Sequence, residues 1–145
     1  MMGKVVRGVG AVLAGLLAAL VFVIGVERMS SILHPFPPGV DPSDIEVCRA
    51  PVARYPVGVL LLAGLGWWLG TFLSSWLSTR IGHNRNRAHG YLVGAILLAL
   101  AVVNMSMLPY PGWFWILNLT CFPACCCGGV LLARRGWAVR NGTGG

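Results

Sequence analysis

Three groups of side chains in this chain are of types that do chemistry. The first is the run Cys125-Cys126-Cys127, with Cys121 one helical turn earlier. Thiolates bind soft metals, but successive helical residues point about 100° apart, so three in a row cannot close around one ion. Cys121 and Cys125 share a face and would need Met105, Met107 or His34 to hold a soft ion such as Cu(I); small apolar packing residues are the simpler reading. The second group, His83 and His89, has no carboxylate or thiol at tight spacing and reads as part of a solvated loop. The third is Glu27, Asn104 and Asn118, single polar groups set in or beside long apolar runs. Paired carboxylates, a nucleophile with its base, a phosphate loop and a nucleotide-binding glycine fingerprint are all absent from the sequence. No catalytic residue, metal or cofactor is therefore assigned, and an enzyme is not expected.

The elements that position these residues follow from composition. Of 145 residues 57% are hydrophobic and 10% charged, with a mean hydropathy of +0.75, values that belong to an integral membrane protein rather than a soluble domain. Four uncharged runs are long enough to span a bilayer, which predicts an all-α membrane protein, a four-helix transmembrane bundle. The helices are expected at about 8–27, 57–79, 90–108 and 113–134, with an outer loop over 28–56 and a single domain over 1–145.

The formal charge of +7 is distributed by topology. Lys4 and Arg7 precede the first run, Arg80, Arg85 and Arg87 lie between the second and third, and Arg134, Arg135 and Arg140 follow the fourth. All four acids, Glu27, Asp41, Asp44 and Glu46, fall in or beside the first connection. This alternation is the positive-inside pattern and predicts cytoplasmic N- and C-termini. The basic residues then need no nucleic acid; anionic headgroups suffice.

Within the first connection, His34-Pro35-Phe36-Pro37-Pro38-Gly39 is stiff and extended, because each proline fixes its own φ and restricts its predecessor. Asp41-Pro42-Ser43-Asp44 reads as the start of a short outer-face helix, with Asp41 as cap, that runs to about Ala50 and is ended by Pro51. In the fourth run, Pro123 cannot donate to the Leu119 carbonyl, a group that Thr120 or Asn118 is placed to help satisfy.

Small residues recur at four-residue spacing on every predicted span, which lets helix backbones approach closely. The second carries Gly66, Gly70, Ser74 and Ser78, the third Gly90 and Gly94, and the fourth Cys121, Cys125, Gly129 and Ala133. The first carries two adjacent edges, Gly10-Ala14-Ala18 and Ala11-Gly15-Ala19. There are more such edges than one bundle needs, so the first expectation for function is a structural or accessory subunit that assembles with itself or another membrane protein.

Val26-Glu27 before a Pro-aromatic-Pro-Pro-Gly loop, Leu69-Gly70-Thr71-Phe72, and Asn104-Met105-Ser106-Met107-Leu108-Pro109 leading into Trp113-Phe114-Trp115 together resemble an uncharacterised family of small bacterial four-helix transmembrane proteins. The resemblance spans about residues 20 to 133. It implies a multi-pass protein of the bacterial inner membrane and brings no activity with it.

The alternative expectation is a small transporter or ligand-binding protein. Asn104 and Asn118 each lie about 6 to 8 Å below the same boundary. Buried amides in hydrocarbon must find partners, each other included. With Glu27 they would form an outward-facing polar pocket, walled by Trp113 and Trp115 and lidded by Phe36.

Overall fold

The structure, a computed structural model, describes residues 2–33, 35, 38–39, 41 and 44–142, with side chains for those between 3 and 135. They form α1 (Met2–Leu33), α2 (Ile45–Ala53), α3 (Val57–Ile81), a 3₁₀ turn (His83–Arg85), α4 (Arg87–Met107) and α5 (Gly112–Gly142), with no strand among the described residues. All of these but α2 and the turn are long and apolar enough to cross a membrane, the architecture of a multi-pass membrane protein.

α1 does not stop where its apolar run stops. Glu27 and Arg28 lie inside a helix of 32 residues, about 48 Å long. Charged residues are good helix formers, and no glycine or proline stands between Val26 and Leu33 to end it. α4 likewise starts at Arg87, a turn earlier than its apolar run, because Asn86 caps it by accepting the Ala88 N–H at 3.0 Å. In α2 the capping residue is Asp44, whose carboxylate accepts from Glu46 N and Val47 N, and the helix continues through Pro51 to Ala53. Pro51 is tolerated there because it sits in the last turn, where only one ladder bond is forgone. Pro35 and Gly39 are described but Phe36 and Pro37 lie outside the described residues.

α3 is the hub. α1 and α5, which scarcely touch each other, each pack along it, and α4 lies against all three. Its small residues explain the closeness. Gly66 faces Val26 and Gly70 faces Phe22, whose Cβ would be 3.1 Å from an added methyl. Lower on the same edge, the Ser74 carbonyl and the Ser78 side chain meet Gly15 of α1. On the adjoining face, Gly90 of α4 lies against Ser75 and Thr79, and Gly94 receives the Cys126 side chain. Gly129 of α5 sits on the backbone at Phe72 and Trp76. The thiol that fills the helix interface is thus Cys126; Cys125 is only half-buried and Cys127 is exposed.

The hydroxyls of Ser74, Ser78 and Thr79 are fully buried and have no hydrogen-bond partner among the described residues. Their small size, more than their polarity, is what the interfaces use. Thr120 donates to Ile116 O and Asn118 to Phe114 O, so neither reaches the Leu119 carbonyl freed by Pro123.

Several basic side chains have protein partners. Arg7 donates to Ile81 O at the end of α3, and Arg85 to Ala133 O of α5. Ile81 ends α3, where the macrodipole favours a cation. Arg80 lies 5.1 Å from the Trp76 ring centroid.

Candidate functional site: a cleft between α1 and α4

The two outer walls of the site meet at one end of the bundle and part at the other. Near the N-terminal end of α1, Gly8 meets the His89 ring and Gly15 meets Val93. Beyond these contacts α1 and α4 separate, while α3 stays close to α1 through Gly66 and Gly70. The result is a cleft of about 420 Å³ with α3 as its floor and Phe122 of α5 behind it, within the range of small-molecule pockets.

Both walls are periodic. Leu16, Leu20, Val23 and Glu27 follow one another on α1 at spacings of three or four residues, and Leu97, Leu100 and Asn104 do so on α4. Each wall is therefore apolar along its depth and polar at one end, the same end. Thr71 also lines the floor, but its hydroxyl is engaged, donating to Trp67 O at 2.9 Å. Glu27 is the one titratable side chain on the cleft wall, and among the described residues it forms no ion pair.

Of the residues expected around a pocket, Glu27 and Asn104 line this cleft; Asn118, Trp113 and Trp115 do not. Phe36 lies outside the described residues. Asn118 is fully buried on another face of the bundle, accepting from Trp68 Nε1 at 3.0 Å and donating to Phe114 O at 2.7 Å. An Asn104 to Asn118 pair does not form, since the two amides match in depth but not in rotation. Met105, the residue after Asn104, points into the core with Leu60 and Phe114, and one helical step turns Asn104 about 100° away from it. Trp115 packs on that same core, and Trp113 stands edge-on to Phe114, itself partly exposed.

An aromatic group closes the mouth end of the core. Tyr110, in the α4–α5 turn, stacks on Phe114 at 5.1 Å, and Trp67, a cleft-floor residue that sequence reasoning left out of the site, meets both edge-on. Burial pushes the Tyr110 phenol up to about 12, with Tyr55 and Glu27 adding to the rise, which places the Glu27 carboxylate in electrostatic reach of the turn. No family model, curated protein or solved structure matches the chain. What the site can do thus rests on its own residues.

At the opposite end, His83, His89, Asn86 and Lys4 border an open surface hollow, with His89 Nδ1 bonded to Asn86 O at 3.2 Å. Among the described residues no three His, Cys, Asp or Glu side chains gather as a metal site.

Proposed function

We propose that the chain is a small ligand-binding membrane protein, a transporter or a carrier-like accessory component, whose site is the α1–α4 cleft. The observation that carries this reading is the pairing of two apolar walls with Glu27 and Asn104 at the same end of both. Such a shape takes a molecule with an apolar body and a polar end, and offers no second reactive group. The cleft mouth faces outward and the termini are cytoplasmic, following the basic residues at Lys4, Arg7, Arg85 and Arg87. A bacterial inner membrane suits the family resemblance described above.

The test has two parts. In intact cells, a membrane-impermeant maleimide should label Asp44→Cys and spare Asn86→Cys; the reverse would invert the topology. In nanodiscs, a neutral alkyl photoprobe should label Leu97 and Leu100 above the outward-facing Ile116, and uniform labelling of all three would remove the site.

The assembly reading keeps one supporting observation. Ala11, Gly15 and Ala19 are buried inside the bundle, whereas the adjacent edge of α1, Gly10-Ala14-Ala18, is left at least partly open, and Gly10 has no atom near it. A self-association would use that edge, because Gly66, Gly70, Gly90, Gly94 and Gly129 are occupied internally. Ala14→Leu should then convert an oligomer to monomer in native mass spectra; a monomer before mutation would end the idea.

A further inference from the structure

Glu27 does not sit in the cleft at random depth. It occupies the end of the apolar run of α1, on the same face as Val23, Leu20 and Leu16, so an occupant that pairs with it must extend its remainder along those side chains. From Glu27 to Leu16 the wall descends about 16 Å, and from Asn104 to Leu97 about 10 Å. A volume of about 420 Å³ lies toward the lower end of small-molecule pockets, about 300 to 1,000 Å³, which favours an occupant with one chain over one with two. The remaining cleft walls carry no charge, and Arg28, one residue on, is turned about 100° around the helix and does not line them. A carboxylate or phosphate head would therefore meet a like charge, whereas a cationic head meets its counter-charge beside an amide and the Trp67 ring.

We propose that the cleft binds a single-chain amphiphile with an ammonium head, Glu27 supplying the counter-charge and Asn104 a hydrogen bond. This rests on the cleft being a ligand site, so its test must separate the two. The full chain is placed in phosphatidylcholine nanodiscs and irradiated with three diazirine probes of one chain length, ending in an ammonium, an alcohol or a carboxylate. Labelling of Leu97 and Leu100 is read against Ile116 of α5, which is 71% exposed at the same end of the bundle and reports partition alone.

The ammonium probe should exceed the carboxylate probe at the cleft by at least about fivefold, the ratio that roughly 1 kcal/mol gives for a charge pair at an aqueous mouth. Glu27→Gln should bring that ratio close to one while leaving the melting temperature unchanged, and Glu27→Asp should retain the preference. Equal labelling by all three probes in the unmutated chain would overturn the ammonium assignment and leave the cleft. Absence of enrichment over Ile116 for every probe would remove both. Retention of the preference in Glu27→Gln would show that another group selects the head. Displacement of the probe by added phosphatidylethanolamine would overturn the single-chain assignment, since the occupant would then be a bilayer lipid.

Discussion

Gly129→Ala is expected to lower the stability of the bundle by about 1 to 3 kcal/mol or more, the range found when a methyl is forced into a packed interior. An added Cβ would run into the Phe72 carbonyl oxygen and lie 3.1 Å from Trp76 N. Both are backbone atoms of α3, so no side-chain rotation relieves the contact and α5 must move away from the hub. Gly90→Ala should behave alike, with its Cβ 2.7 Å from Ser75 O. Gly25→Ala is the control. It has no atom within 4 Å, and the gain in helix propensity, about 0.8 to 1 kcal/mol in water-soluble peptides, should leave it neutral or better. Reversible unfolding in detergent, or thermal melting followed by circular dichroism, measures the difference. Equal effects at positions 25 and 129 would mean that α5 does not pack on α3 as described.

Asn118→Ala should be the most damaging polar substitution. The amide is fully buried, and its removal leaves the Trp68 indole N–H without its acceptor, a desolvated donor that costs about 1 to 3 kcal/mol. Trp68→Phe removes the donor while preserving much of the ring. The double-mutant cycle isolates the bond itself, for which interhelical pairs in membranes average about 0.6 and reach about 1.7 kcal/mol. A coupling within error of zero would show that Asn118 is held by Phe114 O alone. Neither substitution touches the cleft wall, so probe labelling should survive in whatever fraction remains folded.

Helix number and the faces used for close approach can be read from the sequence; rotation about the helix axes cannot. Gly66, Gly70 and Ser74 declare an edge by their four-residue spacing, and that edge lies on α1. Hydrophobic residues are spread almost evenly around α3 and α5, however, so hydrophobicity carries no mark of which way a residue faces. Asn118 illustrates this, since depth could be counted but direction could not. The signal for Asn104 was available on α4, where it shares a face with Leu97 and Leu100 while Met105 leads the buried one. Helix ends were also hidden, because the limit of hydrophobicity marks where a membrane would end and not where backbone hydrogen bonding ends. The caps at Asn86 and Asp44 show that local side chains decide the latter.

The length of α1 bears on how the cleft would respond to its surroundings. At about 48 Å it exceeds a hydrocarbon core of about 30 Å, whereas the 21 residues of α4 match that core closely. It is also the least buried of the four long helices, held along one side and meeting α4 only below the cleft. The excess lies in its charged ends, Lys4 and Arg7 on one side and Glu27 and Arg28 on the other, and a helix so built spans by leaving those ends in water. Glu27 then stands where hydrocarbon gives way to headgroups, making the charge of the membrane surface a third party to whatever the cleft holds.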